Sequence, residues 1–322
     1  ERAYKNKEYY AAIDLYKAAY KSANKDKKAE VLFKTAECYR RINDTKQAET
    51  YYSKTIKAKY PDPIATLRLA DMMKANEKYP EALAEYNNYK QDMPSERAGE
   101  EGAKSCELAQ QWKDNPTRYL VDNMAQINTK DWDYAPSFAD KKGTTLYFSS
   151  TREGATGGQD LTVGELYADI FETKVDKNGK WSTPMIITPI INTSFNEAAP
   201  AMTKKMSALF FTRCDVKKKQ NMTCQLWKVD KKGTTWGDPE KMTFCVDSFN
   251  FGHPTVSADE ALLIFASDMD GSVGGLDLWY SVKDKKTKTW GEPINMGPAV
   301  NTDKDEIYPF IHEDGTLYFS SD

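Results

Sequence analysis

The stretch Leu263–Tyr280 reads LIFASDMDGSVGGLDLWY, and it decides the fold of the second half of the chain. It contains two short apolar and aromatic runs, which are joined by a segment rich in Gly, Asp and Ser. Such runs, bounded by turn residues, are typical of β-strands. The first run recurs at three other places, as Leu146–Phe148, Leu209–Phe211 and Leu317–Phe319. The sequence therefore predicts a repeated β unit.

Other landmarks of this repeat keep the same spacing. A second run occurs at Asp169–Phe171, Gln225–Trp227 and Asp277–Trp279, and a Trp-x-x-Pro turn follows it at Trp181, Trp236 and Trp290, which are 55 and 54 positions apart. A proline precedes the first run in each copy, at Pro136, Pro200, Pro254 and Pro309. A period of about 54 residues made of short strands is too long for a solenoid coil and fits a four-stranded propeller blade.

The first copy of the repeat is longer than the others. Pro136 and Pro200 are 64 positions apart, whereas the later prolines are separated by 54 and 55. The extra residues lie between the first and second runs, in the polar and glycine-rich stretch 154–165. Loops that depart from a repeat often carry function. A functional graft and a simply tolerated insertion are both open interpretations.

The first third of the chain has a different period. Alanine and tyrosine recur at helical spacing with offsets of 36 and 34 positions, as Ala12 and Tyr16, Ala48 and Tyr52, and Ala82 and Tyr86. Helix pairs of about 34 residues are typical of tetratricopeptide repeats. The prediction is a multidomain α plus β chain, with a tetratricopeptide-like α-solenoid over 1–115. An incomplete β-propeller follows over 116–322, with three blades and the start of a fourth.

Composition excludes several classes of function. A net charge of −3 and a sequence pI near 5.7 give no broad attraction for nucleic acid or an anionic membrane surface. No apolar run approaches the roughly 20 residues that a membrane-spanning helix needs. The chain opens at Glu1 inside a helical pattern, so we expect its natural start to lie upstream.

Five cysteines without CxxC spacing argue against a zinc site. Cys214 and Cys224 could form a disulfide in an oxidising compartment or be two small buried side chains.

The repeats resemble a known family. Asp133–Pro136, Gly143–Arg152 and Ser267–Tyr280 are similar to the WD40-like PD40 propeller repeat, which usually forms six blades. Joined to tetratricopeptide repeats, it resembles Bacteroidetes envelope proteins of the OmpA-family type, including type IX secretion components. The resemblance implies a non-enzymatic periplasmic scaffold at the outer membrane that binds other envelope or secretion-system proteins. It also implies a chain that continues into the rest of the ring and an OmpA-like domain that binds peptidoglycan.

Two other functions are kept as alternatives. One is a carbohydrate- or peptide-binding module that uses the propeller mouth, and the other is a hydrolase with its active site in blades beyond this sequence. We predict no catalytic residue, cofactor or metal, since His253 and His312 are the only histidines and no G-x-S-x-G elbow occurs. Asp268–Gly271 resembles the start of a calcium loop but lacks the distal glutamate. Lys217–Lys219 is a basic run that could contact an acidic partner or be a solvated turn.

One acidic position recurs in the β repeats. The residue three places before each repeat proline is Asp133, Glu197, Phe251 and Glu306 in turn. If it opens the innermost strand, Asp133, Glu197 and Glu306 would surround one mouth of the central channel and could bind a basic peptide or a cation. Alternatively, each carboxylate caps its own turn by accepting backbone hydrogen bonds.

Overall fold

The computed structural model describes residues 1–215 and 222–321, and its contacts divide the chain into two units. The first unit comprises Glu1–Asp122 together with Asp160–Glu165, and the second comprises Asn123–Gln159 and Leu166–Asp322. The predicted basic run Lys217–Lys219 falls outside the described residues. Within those residues, no helix combines the length and apolar character needed to cross a membrane.

The first unit is built from helices that pack each against the next. Their bounds are α1 Arg2–Lys5, α2 Tyr9–Ser22, α3 Lys25–Arg41, α4 Thr45–Lys57, α5 Ile64–Ala75, α6 Tyr79–Asp92 and α7 Arg97–Asp114. Side-chain caps define two of the starts, because Asn24 and Asp44 accept hydrogen bonds from the backbone N–H three residues on, at 3.0 and 3.1 Å. The helical part of the predicted architecture is present, while its assignment to tetratricopeptide repeats stays a prediction.

The recurring tyrosines fill the space between helices, and each also has a polar partner. Tyr52 and Tyr86 are fully buried, as are Ala48 and Ala82, which precede them by about one helical turn. The Tyr86 hydroxyl donates to Asp71 at 2.8 Å, and the Tyr52 hydroxyl donates to Glu37. Tyr16 forms the same bond with Glu1 at 3.1 Å. In all three pairs the acid stands 15 positions before the tyrosine, so the bond repeats with the helices.

The second unit consists of antiparallel sheets that follow one another along the chain. Sheet 1 has β1 Asp133–Phe138, β2 Thr145–Ser150, β3 Asp169–Lys174 and β4 Met185–Ile186; sheet 2 has β5 Asn196–Met202, β6 Ala208–Asp215, β7 Thr223–Lys232, β8 Thr235–Trp236 and β9 Glu240–Lys241; sheet 3 has β10 Phe251–Val256, β11 Leu262–Ser267, β12 Asp277–Val282 and β13 Ile294–Asn295; sheet 4 has β14 Glu306–Ile311 and β15 Leu317–Ser321. Sheets 1 and 3 are four-stranded meanders, as in propeller blades.

Successive sheets pack through the apolar residues of their second and third strands. One core joins Tyr147 and Ile170 of sheet 1 to Leu209 and Phe211 of sheet 2. A second core joins sheets 2 and 3 through residues that include Phe210, Leu226, Phe265 and Trp279. Trp236 and Trp290 lie at these two junctions, as expected for filler between blades, whereas Trp181 packs against Leu146, Phe148 and Phe171 of sheet 1. The predicted extra segment is also present, because β2 and β3 are joined by residues 151–168, whereas 268–276 join β11 and β12.

Every sheet has the same irregularity in its first strand. The residue before the repeat proline has a positive φ, at 51° for Ala135, 52° for Ala199, 52° for His253 and 51° for Tyr308. The strand pairing shifts register at the same point in each sheet. A residue before proline normally stays extended, and a non-glycine residue in the left-handed region is strained. The repeated bulge therefore has to be held by its neighbours.

The neighbouring sheet supplies part of that support. The N–H of Ala199 donates to the Ser149 hydroxyl of sheet 1 at 2.8 Å, and the N–H of His253 donates to the Thr212 hydroxyl of sheet 2 at 3.0 Å. Ser149 and Thr212 occupy matching positions on β2 and β6. These bonds thus tie β5 and β10 to the preceding sheet at their bulges.

Candidate functional site

The recurring acids lie at the start of the first strands, and each accepts hydrogen bonds from the turn before it. Asp133 accepts bonds from the Thr129 backbone N–H at 2.6 Å and from the Thr129 hydroxyl at 2.9 Å. It also accepts bonds from the Ser150 hydroxyl at 2.6 Å and from the Arg152 guanidinium. Burial alone would raise the pKa of Asp133, but the bonds from Ser150 and Thr129 outweigh it and lower the pKa.

Glu197 has the same environment in sheet 2 and is fully buried. It accepts bonds from the Thr193 backbone N–H at 3.0 Å and from the Thr193 hydroxyl at 2.6 Å. The Nε of Arg213 donates to it at 2.7 Å, and Nη2 of the same arginine donates to the Ile191 carbonyl at 2.8 Å. The arginine plane lies over Trp227, with 4.5 Å to the ring centroid. Glu197 is therefore held by a turn on one side and a cation on the other.

Glu306 repeats the turn contacts without an arginine. Thr302 donates to it through its backbone N–H at 2.9 Å and its hydroxyl at 2.6 Å, and Ser321 donates at 2.8 Å. In sheet 3, where Phe251 replaces the acid, Asp268 instead accepts bonds from the backbone and side chain of Asn250, at 2.6 and 2.7 Å. Asp268 thus serves as a turn acceptor within the sequence that resembles a calcium loop.

A recurring asparagine near these acids was not predicted from the sequence. The residue before the capping threonine is asparagine in the three acidic repeats. Asn192 accepts a bond from the N–H of Ile170 at 3.0 Å and donates to its carbonyl at 2.9 Å. Asn301 forms the same pair with Leu278 at 2.8 and 3.0 Å. The Asn-Thr pairs at 128–129, 192–193 and 301–302 were visible as a recurring dipeptide four residues before each acid.

These contacts bear on how the three carboxylates could act. Asp133, Glu197 and Glu306 all satisfy donors of their own sheets, which is the capping role considered from the sequence. The hypothesis that they jointly receive a basic peptide or a cation stays a prediction. A ligand at this position would have to share carboxylate oxygens that already accept hydrogen bonds.

Aromatic side chains cluster at the bulges of the first strands. The rings of His253 and Tyr308 stack with centroids 3.9 Å apart, and the Tyr134 ring meets Tyr308 edge-on at 6.2 Å. Burial lowers the pKa of His253 to about 4, so its imidazole is neutral at physiological pH. Its Nδ1 is buried and has no hydrogen-bond partner among the described residues. His253 is thus packed as an aromatic group.

One buried carboxyl should make the stability of the second unit depend on pH. Asp169 is fully buried and accepts bonds from the Thr156 N–H at 2.7 Å and hydroxyl at 2.9 Å, yet burial raises its pKa from 3.8 to about 6. The raised pKa favours the folded state below pH 3.8, and this contribution is lost as the pH rises through 6.

We therefore expect Asp169→Asn to stabilise the second unit at pH 7.5 by up to about 3 kcal/mol, since one pKa unit corresponds to 1.36 kcal/mol. The advantage should shrink as the pH falls to 4. Urea unfolding of both proteins at a series of pH values, followed by tryptophan fluorescence, measures the difference. A difference that stays constant with pH would contradict the assignment to Asp169. Asp238→Asn, in an exposed loop, is the control.

The structure pairs two of the cysteines considered from the sequence. Cys214 and Cys224 stand opposite each other on β6 and β7 and form a disulfide. Cys38, Cys106 and Cys245 are buried thiols. Burial raises the pKa of Cys38 and of Cys245 to about 12, which makes both thiols unreactive at neutral pH. Of the two alternatives considered from the sequence, a disulfide or two separate buried side chains, the structure has the disulfide.

Comparisons with known proteins give distant structural likeness only. No family model and no curated protein sequence matches the chain. Among solved structures, TolB from Acinetobacter baumannii is 13% identical with a TM-score of 0.37, and the match covers 60% of this chain and 39% of TolB. The propeller domain of the Trilobed protease from Pyrococcus furiosus is 11% identical with a TM-score of 0.30, over 52% of this chain and 43% of that one. The family is therefore not established.

The comparisons correct the expectation that the chain is not an enzyme. Several matching structures are hydrolases, among them an α-L-arabinofuranosidase from Lactobacillus brevis, which is 11% identical with a TM-score of 0.37 over 54% of this chain and 55% of that one. A puromycin-hydrolyzing peptidase from Mycobacterium tuberculosis and an endo-arabinase from Bacteroides thetaiotaomicron also match. The likeness assigns no activity to this chain.

Proposed function

We propose that the chain is a protein-interaction module of the bacterial envelope that works in the periplasm. Its main support is that both units are built from repeats, helices in one and sheets in the other. Repeat architectures bury their apolar faces between neighbouring copies and leave extended outer surfaces for partners. Binding is the activity that such surfaces serve best.

The cross-strand disulfide supports the compartment. Cys214 and Cys224 are paired between adjacent strands, and disulfides persist in oxidising compartments such as the bacterial periplasm. The finer parts of the proposal rest on the resemblance to PD40 repeats joined to tetratricopeptide repeats. They are a place at the outer membrane of Bacteroidetes, a layout like that of the type IX secretion component PorE, and attachment to peptidoglycan through an OmpA-like domain outside this sequence.

The contacts at the first strands disfavour the carbohydrate- or peptide-binding alternative at the propeller mouth. That alternative needs polar groups with free hydrogen-bonding capacity. The carboxylates of Asp133, Glu197 and Glu306 instead accept bonds from the threonines of their own turns. An interaction module needs no free carboxylate at this position.

The proposal is tested by capturing partners from intact envelopes. The tagged chain is cross-linked in a Bacteroidetes host, purified from solubilised envelopes and analysed by mass spectrometry, and each partner is confirmed by tagging it in turn. We expect defined envelope proteins to be recovered in both directions, with secretion-system components among them. Recovery of the chain alone would refute the interaction module. Envelope partners without secretion components would refute only the place in type IX secretion.

A combined Asp133→Asn, Glu197→Gln and Glu306→Gln variant tests whether the carboxylates take part in this binding. The hypothesis predicts weaker partner binding that no longer varies with salt, because the negative charge at the first strands is gone. Unchanged affinity and salt dependence in a variant whose circular dichroism is unchanged would leave the carboxylates with the capping role alone.

A further inference from the structure

A polar cavity of about 460 Å³ lies between sheets 1 and 2, away from the first strands. Its walls come from β2 and β3, from the turn after β4, and from the β7–β8 hairpin. The lining residues include Tyr147, Glu172, Thr188, Lys231, Thr235 and Trp236. The volume lies in the range of small-molecule sites, which run from about 300 to 1,000 Å³.

A half-buried lysine is the charged centre of this cavity. The Lys231 ammonium lies 4.7 Å from the Trp236 ring centroid and 5.7 Å from that of Tyr147, and it donates to the Tyr147 hydroxyl at 3.2 Å. In the part of the chain that the structure describes, no carboxylate forms an ion pair with it. Glu172, the acid of the lining, pairs with Lys174 at 2.7 Å, and its charge also acts on Lys231 and on the Tyr147 hydroxyl. Because an ammonium has three donors, Lys231 keeps donors for a ligand.

The junction between sheets 2 and 3 shows which of these features also occur elsewhere in the repeat. There, Lys283 lies 5.4 Å from the Trp290 ring centroid, so a lysine over a tryptophan belongs to the repeat itself. Phe210 stands at the position of Tyr147 and packs edge-on against Trp290 at 5.8 Å. Lys228 stands at the position of Glu172. Of these two junctions, only the first therefore has the tyrosine hydroxyl and the glutamate.

We propose that this cavity binds a small hydroxycarboxylate. Its carboxylate would accept hydrogen bonds from the Lys231 ammonium, which forms no ion pair with a carboxylate among the described residues. Its hydroxyls would bond to the threonines and to Glu172, and its carbon chain would pack against Ile187 and Trp236. An anion suits the site because Lys231 and Lys174 outnumber Glu172 in the lining. The proposal is independent of the proposed interaction function, since it concerns a different surface and needs no partner protein.

Three six-carbon probes test the proposal on the full chain. Gluconate carries the carboxylate and the hydroxyls, sorbitol lacks the carboxylate, and hexanoate lacks the hydroxyls. We expect saturation-transfer NMR and calorimetry to detect gluconate at a dissociation constant in the millimolar range or below, and to show sorbitol and hexanoate each at least about tenfold weaker. Equal binding of all three, or no binding of gluconate at about 10 mM, would overturn the proposal.

Two matched variants locate the binding. Lys231→Met should weaken gluconate at least about tenfold, because a charge-assisted hydrogen bond contributes about 1.5–3 kcal/mol. Lys283→Met removes the equivalent lysine at the second junction and should leave the affinity unchanged. Tyr147→Phe copies the residue that sheet 2 already has at this position, so it should fold and weaken binding to a smaller degree. Equal effects of Lys231→Met and Lys283→Met would overturn the site.

Discussion

Replacing Arg213 with methionine is expected to destabilise the second unit by about 3–5 kcal/mol. The substitution keeps much of the side-chain volume over Trp227 but removes the only cation that contacts Glu197 among the described residues. Glu197 is completely buried, so its charge would remain in a poorly solvated place with only the Thr193 donors. The Ile191 carbonyl would also lose its donor. Urea unfolding followed by tryptophan fluorescence measures the loss, because all tryptophans except Trp112 lie beyond residue 122.

A double variant separates lost charge pairing from lost packing. Glu197→Gln removes the charge and still accepts bonds from Thr193, so adding it to Arg213→Met should restore most of the stability. Lys204→Met, which breaks the exposed pair with Glu313 at 2.8 Å, should change the midpoint little. If Arg213→Met lowered the unfolding midpoint no more than this control, the buried ion pair would not contribute to the stability of the second unit.

Replacing Gly102 with alanine is expected to destabilise the helical unit by about 1–3 kcal/mol. A Cβ at this position would lie 2.2 Å from the Tyr86 ring, which is fully buried. The ring cannot move away cheaply, because its hydroxyl donates to Asp71 at 2.8 Å. Unfolding followed by circular dichroism at 222 nm reports on this unit, since the helices of the described residues lie in it.

Whether Gly102→Ala stabilises or destabilises the helical unit distinguishes a clash with Tyr86 from a simple gain in helix propensity. In a helix without a close neighbour, alanine is more favourable than glycine by about 1 kcal/mol, so stabilisation would contradict the predicted clash. In a Tyr86→Leu background the smaller side chain leaves room, and the penalty of Gly102→Ala should fall. Equal penalties in both backgrounds would place the cause elsewhere than at the ring.

Much of the architecture was predictable from local patterns. The 36- and 34-residue offsets of the tyrosines and the 55- and 54-residue offsets of the tryptophans indicated two repeated units. The structure has helices to Asp114, followed by sheets from Asp133. The change from one to the other falls where Pro116 interrupts the helical pattern. Periodicity is reliable here because each repeat must place the same apolar side chains against its neighbours.

Polar partners were predicted less well than apolar positions. The acids at Asp133, Glu197 and Glu306 stood out as a recurring pattern, but their donors did not. The threonines lie four residues back, and Arg213 lies on the adjacent strand at the position paired with Glu197. A hydrogen bond depends on which side chains are close in space, and the register of β5 against β6 decides that Arg213 is the residue beside Glu197.

The β repeat represented by Leu263–Tyr280 therefore determined by itself the positions and order of the two central strands of each copy. This was possible because apolar runs and turn residues favour strands and turns through their near neighbours in the sequence. Tertiary structure decided the left-handed bend before each repeat proline, since the local preference of such a residue is extended. At Ala199 and His253, hydrogen bonds to the preceding sheet help to offset the strain. It also decided the pairing of Cys214 with Cys224 and the cavity around Lys231, because both depend on which strands and sheets become neighbours.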